Sequence, residues 1–373
     1  MNIIYLFSTK TNIKEYYLDP SSSTFIEMIS GDKFIKDLSY PSILLNTLML
    51  ANIVSKFAPK NWKQICTTDI NIKNAIIIVH KSFFGKRKLL CKLKTNKNML
   101  VFAIVDGTGI NLDLADAILC CSHASYQHYS TIQTQCPVFF VEHNVDIRIQ
   151  PIQPYTDKFS AYYFGASENM YFYNSIFEYV RPCFSDYLGT AHTDFIRYLK
   201  FANFHYALRP TMPERVFKPF TKGFMASFHF SNILVHKNDG DASIYLGNDY
   251  PYLIKEDLTE NIVINYIKKA RDDFGGKDWN RGLEIMHSLR KFFDHKNIAS
   301  QFITSMETLR IEHPVIPHLT LKQAYIGRNA IKDRIISLKN RLEKSRAWPI
   351  IRPYYVFLKN KIYKRDGPHN SDS

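Results

Sequence analysis

Glycine is thin in this chain, with 14 residues in 373, tryptophan occurs three times, and proline, at 16, is no more than ordinary. A fibrous or low-complexity protein is therefore excluded. The six cysteines, Cys66, Cys91, Cys120, Cys121, Cys136 and Cys183, form no CxxC pair and no Cys/His spacing of a zinc site. Neither a metal nor a disulfide framework is expected, and reduced thiols suit a cytoplasmic setting. No apolar run reaches the ~18–20 residues of a membrane-spanning helix. The longest candidate, 41–58, is broken by Asn46, Thr47, Asn52, Ser55 and Lys56 and reads as a packed helix. The amino terminus MNIIYLFSTK lacks a basic leader, and its apolar stretch is too short for a signal peptide. There is no GxxxxGK[ST] and no GxSxG, and Asp106-Gly107-Thr108-Gly109 lacks the third glycine of a dinucleotide fingerprint.

What is present is ordinary globular material, 46% hydrophobic and 22% charged, long enough for two domains and a remainder. The net charge of +14 is unevenly placed. Residues 320–366 carry 13 Lys and Arg against Asp333, Glu343 and Asp366, a net of +10. The body is nearly neutral. A basic tail on such a body points to an anionic surface, a membrane first, rather than to nucleic acid.

Along the first half, short apolar strands alternate with helices. Strands are expected at 3–7, 75–80, 99–105, 117–121 and 137–141, and helices at 41–57, 86–97 and 122–132, the last capped by Ser122. Such alternation predicts a parallel sheet covered on both faces. A proline-containing stretch, 149–158, reads as a linker. Alternation then restarts, with strands at 159–164, 203–208 and 232–236. Helices are expected at 171–180 and at 218–230, the latter with Pro219 in its first turn. After Pro251 the chain reads as helices at 259–274, 277–293 and 297–309, then a basic helical tail. The predicted domains are 1–150, 151–318 and 319–373.

Ligands of open parallel sheets sit beyond the carboxyl ends of the strands. That rule selects His80-Lys81, Asp106 to Thr108, His143 to Asp146, Gly165-Ala166-Ser167, Arg209-Pro210 and Lys218 to Lys222. In 204–236 a strand ends at Arg209, and a helix is opened by Lys218-Pro219-Phe220-Thr221-Lys222. Free backbone N–H groups, a dipole, a hydroxyl and three cations make a diphosphate site. The same cations also read as a solvated face, with Pro219 merely starting a helix.

These residues resemble the second domain of bacterial GT-B glycosyltransferases (group 1-like). The likeness lies in Arg209-Pro210, Lys218-Pro219-Phe220-Thr221-Lys222, Ala226, Asn232-Ile233 and 246–252 (LGNDYPY). Upstream, 115–122 and 137–146 resemble the last strands of the first domain, so the likeness spans about 75–310. It implies an α/β fold of two Rossmann-like domains facing across a cleft, here with a basic helical tail. It also implies transfer of a sugar from a nucleotide-sugar donor to a cell-surface glycan or lipid-linked acceptor. No bound metal or other cofactor is expected, and cations and a helix N-terminus handle the leaving group. Asp239-Gly240-Asp241 is a DxD sequence, but not where a metal-dependent sugar transferase would use it.

Arg209, Lys218, Pro219, Thr221, Lys222 and Asn232 are the expected donor-binding residues. Asp106 is the first candidate base and His80 the second, with Lys81, His143 and Gly165 elsewhere in the cleft. Asp106 equally reads as a turn cap, and His143 as a hydrogen-bonded interior residue. Many retaining relatives place two glutamates eight residues apart where this chain has Lys218 and Ala226. The ribose-binding carboxylate is thus missing, and Asp239 and Asp241 are substitutes only if they are not simply solvated. A non-catalytic nucleotide- or glycan-binding protein of the same fold, or a nucleotide-sugar epimerase, are the competing readings. The tail suits either peripheral contact with the inner face of a membrane or packing on the body.

Overall fold

The computed structural model describes residues 1–10, 15–106, 111–132, 136–184, 192–210 and 217–312. The predicted tail domain, 319–373, lies outside them.

The first sheet has seven strands: β1 (Asn2–Leu6), β2 (Tyr17–Leu18), β3 (Lys63–Thr67), β4 (Ile76–His80), β5 (Met99–Ile104), β6 (Ala117–Cys120) and β7 (Val138–Phe140). Their spatial order is β2-β3-β1-β4-β5-β6-β7. All pair in parallel except the two-residue β2, which runs antiparallel to β3 at the edge. β4 is buried along its whole length, as its run of β-branched residues demands when helices cover both faces. Ser122 caps helix His123–Ile132, its Oγ accepting the Ser125 N–H at 3.1 Å.

The second sheet has five parallel strands: β8 (Ala161–Gly165), β9 (Val180–Phe184), β10 (Phe204–Tyr206), β11 (Asn232–His236) and β12 (Leu253–Ile254). Their order is β12-β11-β10-β8-β9. Helix Glu260–Asp272 starts at Thr259, whose hydroxyl accepts the Ile262 N–H at 3.4 Å.

Three expectations need correction. The stretch 171–180 is not a helix. Asn174–Glu178 is one tight turn, and the chain then enters β9, where Val180 and Cys183 are buried. Pro182 is tolerated there because β9 is an edge strand and needs no outward N–H. Helix Thr221–Phe228 is shorter than predicted, so Pro219 precedes it instead of occupying its first turn. Helix 41–57 is split: Leu44–Met49 is a wide i→i+5 turn that feeds helix Leu50–Ser55.

The last described helix, His295–Glu312, returns to the first sheet. Phe302 stacks on Tyr5 with ring centroids 5.9 Å apart, and the Glu142 N–H donates to Gln301 Oε1 at 2.8 Å. By packing, this helix belongs with the first layer, although its residues fall in the stretch assigned to the second.

Candidate functional site

The two sheets meet through the carboxyl ends of their strands. Among the described residues, contacts cross the seam from Phe217 and Lys218, which precede β11, and from Asp241 and Tyr245, which follow it. Lys218 pairs with Asp106, which also pairs with Lys81. The Asp241 carboxylate accepts the N–H groups of His123 and Ala124 at 2.6 and 3.2 Å, capping a helix of the other layer. The Tyr245 hydroxyl donates to Glu142 at 2.6 Å. The rings of Phe217 and His128 lie 4.9 Å apart.

On the second-sheet side, cations collect as predicted. Arg209, just past β10, lies 3.3 Å from Asp239 through its Nε. Lys222, in the first turn of helix Thr221–Phe228, places Nζ 4.1 Å from the centre of the Tyr163 ring. Both nitrogens are buried, and among the described residues neither has a hydrogen-bond partner; the Arg209–Asp239 contact is an ion pair without hydrogen-bond alignment. Burial and the neighbouring Arg209 push the Lys222 ammonium down to about 7, with Asp239 opposing. Burial raises the Asp239 carboxyl although Arg209 and Lys222 oppose it. Asp239 is therefore no solvated loop acid.

Two glycines shape this corner. Gly165 ends β8 at φ +142°, and a Cβ there would lie 3.1 Å from the Tyr163 hydroxyl. That hydroxyl is fixed by donation to the Ala166 carbonyl at 2.6 Å. Gly240, at φ +57°, lets its loop lie against the Lys218 and Pro219 carbonyls, 3.0 and 3.4 Å from where a Cβ would stand. The structure thus brings together Arg209, Lys218, Pro219, Thr221, Lys222 and Gly165, with Asp106 and Lys81 facing them.

Three predicted residues stand elsewhere. Asn232 is fully buried. Its amide donates to the Trp279 carbonyl at 3.0 Å and accepts from Tyr250 at 3.2 Å, so it joins β11 to a helix and touches no ligand space. His80 is fully buried: Nδ1 accepts the Ser82 N–H at 3.2 Å, and Nε2 lies 3.0 Å from the Ser42 hydroxyl. Burial and Lys81 hold it down to about 3, so it is a neutral, weakly basic turn cap with both ring nitrogens engaged by serines. His143 is buried, held at about 4 by desolvation, with Nδ1 on the Asn144 carbonyl at 2.7 Å. It lines an interior space of about 30 Å³ beside Asn46 and Cys121, roughly one water in size.

Asp106 keeps its place on the cleft wall. Burial alone would raise its carboxyl, but the hydrogen bonds from Lys218 and Lys81 outweigh that and hold it below the usual range. Glu142 was not foreseen. Burial raises it to about 7, with Asp241 adding to the rise and the Tyr245 hydroxyl opposing it. The only hint in the sequence is its place two residues after β7. Among the described residues, no group of three His, Cys, Asp or Glu is arranged to hold a metal ion.

No protein-family model matches the chain, and no curated protein matches it in sequence. Solved structures share its architecture. Anabaena Alr3699/HepE in complex with UDP and glucose superposes with a TM-score of 0.50 at 9% identity, covering 83% of this chain and 100% of that one. A glycosyltransferase from Rickettsia africae gives 0.43 at 10% identity, over 70% and 79% of the two chains. The pneumococcal O-GlcNAc transferase GtfA in complex with UDP and GlcNAc gives 0.44 at 8% identity. This chain spans 60% of that transferase's length. Likeness at such identities is likeness of fold. Two Rossmann-like domains facing across a cleft, the GT-B arrangement, is the fold of this protein, and the resemblance drawn from its motifs holds at that level. Among the described residues, no helix is long and apolar enough to cross a membrane.

Proposed function

We propose that this protein is a metal-independent glycosyltransferase that takes its sugar from a nucleoside-diphosphate donor. The observation that carries this reading is the pair of buried nitrogens, Lys222 Nζ and Arg209 Nε, without hydrogen-bond partners among the described residues and beside a helix N-terminus. A buried N–H donor without a hydrogen bond is costly, and a diphosphate would satisfy both groups while adding the backbone N–H groups of the first helical turn. Those donors would also stabilise the charge that develops on the leaving diphosphate. Lys218, on the same side as this corner, reaches Asp106 on the opposite wall and can serve the same charge. Asp106, ionised and flanked by two lysines, is the carboxylate placed to take a proton from an acceptor hydroxyl. The lysines lower its basicity in return for positioning it. The ribose hydroxyls lack the usual glutamate, since Ala226 is buried at that place.

An epimerase is less well served, because the histidines it would draw on, His80 and His143, are interior and neutral. The acceptor is proposed to be a glycan or a lipid-linked glycan. The basic stretch 320–366, outside the described residues, would hold the enzyme on an anionic membrane surface. Deleting 320–373 should then abolish binding to phosphatidylglycerol vesicles.

The direct test is a melting-temperature screen against UDP, GDP, ADP and CMP without added metal. UDP comes first because HepE was solved with it. At a hundredfold excess over Kd, a bound nucleotide adds about 2.7 kcal/mol. Lys222→Ala and Arg209→Ala should each weaken binding tenfold or more. A folded protein that responds to none of the four overturns the reading.

A further inference from the structure

A second concave surface lies away from the cleft, at the opposite end of helix Thr221–Phe228. It is a groove open to solvent, about 660 Å³ in volume, lined by Phe230, Ser227 and Met286 with the exposed Gln153, Asn280, Glu284 and His287 around them. Phe230 is its unusual member. The helix closes with Ser231 N–H on the Ala226 carbonyl at 2.9 Å and Phe230 N–H on the Ser227 carbonyl at 3.1 Å. The residue at this closing position takes a left-handed conformation and is usually glycine. Here it is a phenylalanine at φ +55°. A bulky residue in that region is strained, and such strain points towards function.

The strained ring is held firmly. The Arg290 guanidinium stacks 3.8 Å from its centre and donates to the Ser227 and Phe228 carbonyls at 3.2 and 2.9 Å. The floor is fixed as well, because the Ser227 hydroxyl donates to the Met286 carbonyl at 2.5 Å. The rim is polar: Gln153 comes from the linker between the two sheets, and Asn280, Glu284 and His287 come from helix Lys277–Ser288.

From this geometry we infer a carbohydrate-binding subsite, built on Phe230 and rimmed by Gln153, Asn280, Glu284 and His287, that holds one or two sugar units of a neutral glycan. Planar amides and a carboxylate pair with neighbouring hydroxyls, and an aromatic ring packs on the C–H face of a pyranose. Arg290 is occupied by the ring and two carbonyls, and no lysine or arginine is among the lining residues, so His287 is the only one of them that can carry a positive charge. A single carboxylate among amides does not make a cation site. The volume matches small-ligand pockets.

The test is saturation-transfer NMR and calorimetry on the full chain with glucose, galactose, mannose, N-acetylglucosamine and their disaccharides. At least one sugar should bind, and equally well in Lys222→Ala, whose change lies in the cleft. Phe230→Gly should weaken that binding tenfold or more without lowering the melting temperature, because glycine suits the backbone at 230. Gln153→Ala, at an exposed linker position, should weaken it several-fold in a protein of unchanged fold. The inference is overturned if none of these sugars binds, if binding survives both groove variants, or if Lys222→Ala removes it.

Discussion

Lys222 shows how much one side chain owes to its surroundings. Its stem leaves a helix in a position that reads as surface, yet its ammonium is buried over Tyr163 beside Arg209. In the unfolded chain a lysine keeps its proton to about 10.5, whereas here it releases it near 7. Between those values the unfolded state holds more protons, so wild-type stability climbs as pH rises through that window. Lys222→Met should therefore stabilise the protein by about 2 kcal/mol at pH 6, with the gain shrinking towards pH 10, read from urea unfolding at several pH values. The same variant should lose nucleotide binding. Stabilisation that is flat with pH would show that the ammonium is not buried in solution. Asp239 and Asp241 carry the same lesson from the acidic side. In sequence they are loop acids, and only folding turns one into the counter-ion of Arg209 and the other into a helix cap.

At the scale of elements, most strands were legible. Runs such as 75–80 and 232–236 are β-branched and apolar because the strands are buried on both faces. β3 was not, since its KQICT mixes polar and apolar residues and is buried only at its end. β9 was not legible either: only Val180 falls in the helix expected over 171–180, and the edge position of the strand relaxes the apolar pattern. Helix Lys277–Ser288 depends on a close approach that no pattern shows. A Cβ on Gly282 would stand 2.5 Å from the Asn232 side-chain oxygen, inside the contact that joins this helix to β11. Gly→Ala inside a helix ordinarily gains about 1 kcal/mol. Here Gly282→Ala should instead cost about 1–3 kcal/mol, because Asn232 must give way. A raised melting temperature would refute that packing. The site was legible to a similar degree. The cation cluster follows from a strand-end arginine and a helix opened by lysines, whereas His80, His143 and Asn232 carry site-like chemistry at strand ends but point inward.

For the whole molecule, the seam between the two sheets is the feature with the largest consequence. Glu142 lies buried on it, hydrogen-bonded by Tyr245 from the opposite layer and close to Asp241. Its carboxyl titrates near 7 instead of the usual 4.5, so the folded state holds more protons between those values, and stability falls as pH rises from 4.5 to 7. Glu142→Gln keeps an acceptor for Tyr245 and never ionises. It should gain about 1–3 kcal/mol above pH 7 and almost nothing below 4.5, measured by calorimetry at both ends. An equal gain at both ends would mean that Glu142 is already neutral or solvated.

The two-layer α/β plan, the positive charge of 320–366 and the cations around Arg209 and Lys222 are legible in the amino-acid sequence alone. These are local matters: hydrophobic period, β-branched runs, capping residues and the charge of a strand end are all set by near neighbours. Which cationic nitrogens are buried without a hydrogen bond among the described residues, which carboxylates are buried, and how His295–Glu312 returns to the first layer follow only from the tertiary structure. Burial and charge pairing depend on residues brought together from more than a hundred positions apart, as Lys218 is with Asp106, and no local pattern contains that information.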